Sequence, residues 1–260
     1  MTEPVSRPDL TAPLIVLHGA NGSVADMGPL LERLGDARPV VAFNLVGHGG
    51  RPVPALLSIE AMAEDALAEC DRRGISAAHW FGYSVGGLVA LWIAAHRPER
   101  VLSVATLTTK IVYDPPGVAH AAHLTSAERL LRSNPDRAEA LRQMHLPQDW
   151  QQLIAVARQM FLSFAERPPL TTAELGRITA PALAFGALED PLVPATEVRA
   201  LAAALPNAIP ALFAGTAHPL ARAPLDAIVR TLREFHSDAG RLRRSAQVRL
   251  QEFRWDQPRP

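Results

Sequence analysis

Short apolar runs alternate with helical patterns along most of this chain. The apolar runs lie at 13–19, 38–49, 78–84, 101–109, 180–190 and 208–215. Helical patterns at 58–74 and 85–100 separate some of these runs, and another at 219–235 follows the last one. Apolar strands joined by helices are typical of a parallel sheet that is covered on both faces. The chain is therefore predicted to be an α/β protein with a mostly parallel sheet.

This rhythm changes between Thr109 and about Leu170. Helical segments such as 125–133 and 147–166 occur there without a convincing strand, which predicts a helical insertion lying over the sheet. We accordingly expect a first core part (1–111), a helical cap (112–170), a second core part (171–236) and a C-terminal tail (237–260). The tail is rich in arginine, and we interpret it as a solvated helix rather than as a binding arm for anions.

Charge and composition exclude several classes of protein. Lys plus Arg and Asp plus Glu both number 26, so the formal net charge is zero, whereas a dedicated nucleic-acid binder normally carries a basic excess. Cys70 is the only cysteine, so no intramolecular disulfide can form. The N-terminal residues show no signal-peptide core, and no apolar stretch reaches membrane-spanning length. These features predict a cytoplasmic protein without a membrane partner; nothing in the sequence indicates an oligomeric state.

A serine flanked by glycines stands where the third predicted strand meets a helix. The stretch Gly82-Tyr83-Ser84-Val85-Gly86 fits the pattern G-x-S-x-G. A sharp turn here lifts the hydroxyl clear of the sheet edge, and small neighbours let strand and helix approach each other. The helix that begins at Val85 directs unpaired N–H groups at the same spot. An incidental serine in a glycine-rich turn is the alternative, but this context favours a nucleophile.

A serine hydroxyl becomes a useful nucleophile only when a base removes its proton and an acid orients that base. Of the nine histidines, His218 alone follows the last strand and precedes a helix. Asp190, at the end of the fifth strand, is the preferred acid, and Glu189 and Asp114 are the alternatives. We therefore predict a triad of Ser84, Asp190 and His218.

The oxyanion that develops on an attacked carbonyl needs donors that already point at it. The Val85 N–H is one candidate donor. The second is expected from the loop after the first strand, where the Ala20 N–H is preferred and Asn21 is the alternative.

The chain resembles the α/β-hydrolase superfamily over nearly its whole length except the tail. The resemblance rests on LHGANGS, NLVGHGGR, GYSVGGLVALWIAAHRPERV, PALAFGALEDPLVP and GTAHPLARAPLDAIVRTLREF. It implies the α/β-hydrolase fold, a Ser–acid–His triad in that chain order, a helical cap, and neither cofactor nor metal. Asn44 stands where members commonly carry Asp, and Ala217 where glycine usually precedes the catalytic histidine. Members that cleave haloalkanes or epoxides use an aspartate nucleophile, so Ser84 argues against both activities.

The substrate is less constrained than the fold. Five apolar or aromatic side chains are candidates for an acyl pocket, although each of them could instead pack the cap: Tyr83, Trp150, Met160, Phe161 and Phe164. We predict a serine hydrolase that cleaves a carboxylic ester of a small, fairly apolar acyl substrate through an acyl-enzyme. A carbon–carbon bond hydrolase, a thioesterase, a lactonase or a non-catalytic ligand-binding protein of the same fold are the alternatives.

Overall fold

A six-stranded sheet forms the centre of the protein in a computed structural model, which describes residues 11–35 and 38–237. The strand order is β2-β1-β3-β4-β5-β6, and every neighbouring pair is parallel. The strands are β1 (Leu14–Leu17), β2 (Val40–Ala42), β3 (Ala78–Tyr83), β4 (Val101–Leu107), β5 (Ala182–Ala187) and β6 (Ala208–Phe213). All six predicted strands are present, and the predicted α/β-hydrolase fold class is confirmed.

The helices of the described residues fall into two groups. Those that follow the strands are α1 (Val24–Leu34), α2 (Ile59–Arg72), α3 (Val85–His96), α9 (Ala195–Ala204) and α10 (Leu225–Ser237). Those between β4 and β5 are α4 (Pro115–Leu124), α5 (Ala127–Ser133), α6 (Pro135–His145), α7 (Trp150–Ser163) and the short α8 (Thr172–Leu175). Two 3-10 turns, Pro98–Arg100 and Leu220–Arg222, complete the set.

Both faces of the sheet are buried, as the continuous apolar strands predict. In β1, Leu14 and Val16 pack with α1 and α10, whereas Ile15 and Leu17 pack with α2, α3 and α9. This alternation follows from the two-residue period of a strand. Helix α3 is apolar on all sides and lies deepest, with every residue from Val85 to Ala94 buried. It thereby fixes the end of β3 in the middle of the molecule.

The connections after β1 and β3 leave opposite faces of the sheet, because α1 covers one face and α3 the other. Such a reversal opens a crevice at the carboxyl ends of adjacent strands, where open α/β sheets bind their ligands. The loop after β1 and the turn after β3 both lie at this point. The fold therefore presents residues 18–22 and Ser84 at one edge.

Two further expectations concern the chain outside the sheet. The predicted C-terminal tail falls, from residue 238 onward, outside the described residues. Within 11–35 and 38–237, no helix is long and apolar enough to cross a bilayer.

Candidate active site

The turn between β3 and α3 has the geometry of a nucleophile elbow. Ser84 has a φ of 53°, in the left-handed region that non-glycine residues rarely adopt. Its N–H donates to the Leu107 carbonyl at 2.9 Å, and its carbonyl accepts from the Thr109 hydroxyl at 3.1 Å. These bonds to the end of β4 hold the backbone in a conformation that costs free energy, a feature that is concentrated at functional sites.

Glycine is required where the elbow meets β1 and β3. A Cβ on Gly82 would overlap the backbone of Gly86. A Cβ on Gly86 would lie 2.5 Å from the His18 carbonyl oxygen and 2.6 Å from that of Leu17. These contacts are with backbone atoms of the first turn of α3 and of the end of β1, so no side-chain rotation relieves them. The two glycines let α3 approach the sheet closely enough to form the turn.

Gly86→Ala is therefore expected to lower the free energy of unfolding by about 3 kcal/mol, the upper end of the usual cost of overpacking, since the contacts are with a fixed backbone. Gly28→Ala is a matched control, because Gly28 lies inside α1 and a Cβ there would meet nothing within 4 Å. This control should change stability by less than about 1 kcal/mol, because Pro29, which follows it in the helix, offsets the gain in helix propensity. Urea unfolding followed by circular dichroism measures both effects. Equal stability of the two variants would contradict the packing argument.

Asp190 and His218 are in direct contact. The Asp190 carboxylate lies 2.8 Å (Oδ2) and 3.0 Å (Oδ1) from Nδ1 of His218, and its side chain is fully buried. Burial alone would raise the pKa of Asp190. The hydrogen bond and charge of His218, with the N–H groups of Val193 and Leu192, outweigh burial and lower the pKa below its usual range. An ionised carboxylate only accepts, so the imidazole carries its proton on Nδ1 and leaves Nε2 as an acceptor.

The other acids that the sequence offers lie in different environments. Asp114 accepts from the Gly117 N–H at 2.9 Å as the N-cap of α4. Glu189 is exposed. Neither has a hydrogen bond or ion pair with His218 among the interactions of the described residues. Asp190 is thus the only one of the three that contacts this histidine there.

Tyr83 places His218 next to the elbow. Its ring centre lies 5.3 Å from that of the imidazole, and its hydroxyl donates to the Ala217 carbonyl at 3.2 Å. Burial, followed by the nearby Asp190 carboxylate, raises the pKa of Tyr83. The residue that precedes Ser84 therefore holds the loop that carries His218. Within residues 11–35 and 38–237, neither the Ser84 hydroxyl nor Nε2 of His218 makes a hydrogen bond, so the structure does not join these two groups directly.

The loop after β1 lies against the same turn. A Cβ on Gly19 would meet the Tyr83 ring at 3.0 Å and the Ser84 Cβ at 3.3 Å. The Asn21 N–H donates to Nε2 of His48 at 3.3 Å, whereas the Ala20 N–H has no acceptor among the described residues. The Val85 N–H opens α3 and has no acceptor within the helix. Of the two candidates in this loop, Ala20 thus has the N–H without an acceptor among the described residues, and its role as an oxyanion donor remains a prediction.

A sequence model of the α/β hydrolase fold family matches residues 12–160, more than half of the 260 residues. The chain belongs to the α/β hydrolase family. Relatives that match it include proteins named as a hydrolase and as an esterase, and this protein is accordingly an enzyme of that family. The predicted family is confirmed.

Several relatives are similar over different shares of the chain. The putative carbamate hydrolase RutD of Stutzerimonas stutzeri is 31% identical over 229 residues, which are 80% of this chain and 85% of that protein. The pimeloyl-[acyl-carrier protein] methyl ester esterase of Neisseria meningitidis serogroup C is 34% identical over 123 residues, 47% of this chain and 42% of that one. The enol-lactonase of Burkholderia xenovorans superposes with a TM-score of 0.68 at 20% identity, covering 88% of this chain and 93% of its own, and shows the shared fold.

The four predicted pocket residues that lie between β4 and β5 occupy two different clusters, whereas Tyr83 packs against a third one on the other face of the sheet. Trp150 packs with Ala138, Leu141 and Ile154 between α6 and α7. The other three are buried in the cluster that α7 shares with the sheet and α3: Met160, Phe161 and Phe164. The structure thus separates Trp150 from the other three. Their binding roles remain predictions.

Glu197 is not predicted from the sequence, although it binds the residues at which the hydrolase's helical insertion begins. From α9, its Oε1 accepts the Ile111 and Val112 N–H groups at 2.6 and 2.7 Å, and Oε2 pairs with Lys110 at 3.0 Å. Its side chain is almost fully buried. More than 80 residues separate the partners in sequence, and a glutamate in a helical pattern gives no sign of such a contact. The Glu197 carboxylate therefore holds the residues after β4 against α9, the helix that follows the Asp190 loop.

Proposed function

We propose that this hydrolase cleaves a carboxylic ester of a small, fairly apolar acyl group, with Ser84 as the nucleophile. The observation that carries the proposal is the buried Asp190–His218 pair beside a strained serine turn. A carboxylate on Nδ1 makes Nε2 basic toward a serine proton, and this is the function of such a pair in acyl transfer.

The reaction proceeds in two halves. The Ser84 oxygen attacks the ester carbonyl while its proton passes to Nε2 of His218, and the resulting oxyanion accepts from the Ala20 and Val85 N–H groups. The imidazolium then gives the proton to the departing alcohol as the carbon–oxygen bond breaks. Water, deprotonated by the same nitrogen, attacks the acyl-serine and releases the carboxylic acid. The imidazolium returns that proton to the departing Ser84 oxygen, so His218 ends each half neutral and Ser84 is restored at the end of the second half.

Substrate entry must bring the serine and the imidazole together. Rotation of the Ser84 side chain about χ1 reorients its hydroxyl at little cost, and catalytic hydrogen bonds commonly tighten only in the substrate complex. The imidazole itself is held by Asp190 on one side and by the Tyr83 ring next to it. We therefore assign the final adjustment to the serine.

An apolar acyl group suits the helices between β4 and β5, which we propose act as a cap over the site. Helix α7 contributes Met160 and Phe161 to the core cluster that also contains Val85, the residue after the nucleophile. Phe164 packs edge to face on Phe161 and on Tyr113, with ring centres 5.7 and 4.7 Å apart. Apolar side chains with a few aimed polar groups are typical of small-molecule sites.

A fluorophosphonate probe tests the proposal. It should label the wild-type protein at Ser84, as located by peptide mapping, because such probes phosphonylate activated serines. Ser84→Ala should neither label nor hydrolyse p-nitrophenyl butyrate, while its far-ultraviolet circular dichroism stays that of the wild type. Ser163→Ala, a change of another serine on α7, is the control and should label normally. A folded wild-type chain that fails to label would refute the proposal.

Hydrolysis of a carbamate is the second candidate, because the relative named a putative carbamate hydrolase matches most of this chain. The same triad can attack a carbamate carbonyl, although the carbamate nitrogen donates electron density and makes that carbon less electrophilic. Turnover of p-nitrophenyl butyrate and of ethyl carbamate separates the candidates. Faster turnover of the carbamate, with Ser84 still required, would favour the second one.

A further inference from the structure

Three imidazoles surround the loop after β1, which we call the oxyanion loop (residues 18–22). Nδ1 of His18 lies 2.8 Å from the Gly19 carbonyl oxygen. Nε2 of His48 accepts the Asn21 N–H, and Nε2 of His145 lies 3.3 Å from the Asn21 carbonyl oxygen. The His48 ring centre lies 5.0 Å from that of His18 and 6.0 Å from that of His145. The rings thus form one connected group around the loop.

His145 alone in this group comes from the helical insertion. It is the last residue of α6 and is almost completely buried. Its Nδ1 accepts the Gly49 N–H at 3.0 Å, which requires Nε2 to carry the proton and to donate to Asn21. One side chain of the insertion therefore binds two loops of the sheet core at once.

The oxyanion loop needs external support because of its backbone conformation. Asn21 has a φ of 55°, in the left-handed region, and a non-glycine residue stays there only when its surroundings hold it. His48 holds the N–H of Asn21, and His145 holds its carbonyl. The Ala20 N–H belongs to the preceding residue, so its direction depends on how this conformation is fixed.

We propose that His145 is a positioning residue for the oxyanion donor at Ala20 and thereby supports the reactivity of Ser84. This inference rests on the proposed function. His145 touches no reacting atom; it acts through the Asn21 carbonyl. A donor aimed in advance stabilises charge that appears only in the transition state, so loss of this contact lowers kcat and leaves KM nearly unchanged.

Two amide substitutions separate the roles of the two ring nitrogens. In His145→Gln the amide nitrogen can occupy the position of Nε2 and donate to the Asn21 carbonyl. In His145→Asn the amide oxygen can occupy the position of Nδ1 and accept from the Gly49 N–H. Each variant loses one buried hydrogen bond, so their thermal midpoints should be similar. A difference in activity between them then reports on the oxyanion loop and not on stability.

We expect His145→Asn to lower kcat for p-nitrophenyl butyrate about tenfold with KM within about twofold of the wild type, a fraction of the 10²–10³-fold loss caused by deleting an oxyanion donor. His145→Gln should keep kcat within about threefold. Leu141→Ala is the control, because Leu141 is buried on the same helix but belongs to the separate cluster with Trp150. It should lower the thermal midpoint and leave kcat unchanged.

The outcomes distinguish this inference from the function on which it rests. Equal kcat values for the asparagine and glutamine variants, or a loss confined to KM, would overturn the positioning role while wild-type activity and its dependence on Ser84 stand. A wild-type protein that neither labels at Ser84 nor hydrolyses the ester would refute both the proposed function and the positioning role of His145. A selective loss of kcat in the asparagine variant that is absent in the glutamine variant supports His145 as a positioning residue for the Ala20 N–H.

Discussion

Replacing Asp190 with asparagine should lower kcat about 10⁴-fold while the protein remains folded, the scale of loss that follows when a triad histidine takes the wrong tautomer. The asparagine oxygen can still accept the Leu192 and Val193 N–H groups that Oδ1 of Asp190 accepts at 2.9 and 3.0 Å. The turn after β5 therefore keeps its bonds.

The loss of kcat arises from the amide nitrogen of the introduced asparagine. With the oxygen engaged by the turn, the asparagine NH₂ faces Nδ1 of His218 and donates to it. The imidazole must then carry its proton on Nε2, where it can no longer accept the proton of Ser84. Binding of the substrate does not involve Asp190, so KM should change little. Steady-state kinetics on p-nitrophenyl butyrate measure both parameters.

Glu189→Gln is the matched control, because it removes the neighbouring carboxylate, which is exposed. Asp114→Asn removes the third candidate acid, which caps α4. Both variants should keep kcat within about threefold of the wild type. If either lost as much activity as Asp190→Asn, or if Asp190→Asn kept most of its activity, Asp190 would not be the orienting acid.

Local patterns predict the sheet of this protein well. Each strand lies within one of the short apolar runs, and α2 lies within the helical pattern at 58–74, where Ser58 caps it and accepts the Ala61 N–H at 3.0 Å. The sequence does not predict helix α1, because Gly28 and Pro29 interrupt its helical pattern. Its stability comes from tertiary burial of Met27 and Leu30 against β1, which no local pattern reveals.

The contacts of the candidate site likewise include some that the sequence predicts and some that it does not. Asp190 and His218 are predictable because the carboxyl ends of parallel strands meet at one edge, and their chain order matches the resemblance. The contacts of Glu197 and His145 are not predictable, because each joins segments about 90 to 120 residues apart through a side chain of an ordinary helix. Fold topology brings strand ends together by rule, whereas side chains between an insertion and the core meet through packing particular to this chain.

Mild acid should destabilise the protein strongly between pH 6.5 and 5. Three buried imidazoles carry the effect. Burial is the main cause that lowers the pKa of His18 to about 4, of His48 to about 3 and of His236 to about 2. Nearby positive or titratable groups add to it, such as Arg51 beside His48 and Arg38 beside His236. In the unfolded chain each histidine titrates near 6.5.

The sign follows from proton binding. Below pH 6.5 the unfolded chain takes up protons at these positions, whereas the folded protein does not until the pH approaches the lowered values. Their contribution to stability is therefore complete above pH 6.5 and is lost as the pH falls. Averaged over this window each group costs about 1 kcal/mol per pH unit, because the unfolded imidazole is only half protonated at pH 6.5, so the three together cost about 3 kcal/mol per unit. A typical domain has only about 5–15 kcal/mol in total.

Urea unfolding at pH 7, 6 and 5 measures the slope of the free energy of unfolding against pH. These pH values lie above the range in which most carboxylates titrate. His236→Gln should reduce it by about a third. Nδ1 of His236 accepts from the Arg38 guanidinium at 3.0 Å, so the imidazole is neutral and Nε2 donates to the Ser103 hydroxyl at 3.2 Å, a donor that glutamine can replace. His120→Gln, at an exposed position on α4, should leave the slope as it is in the wild type. Equal unfolding free energies at pH 7 and pH 5 would mean that the three imidazoles gain protons as readily in the folded protein as in the unfolded chain, contrary to their burial.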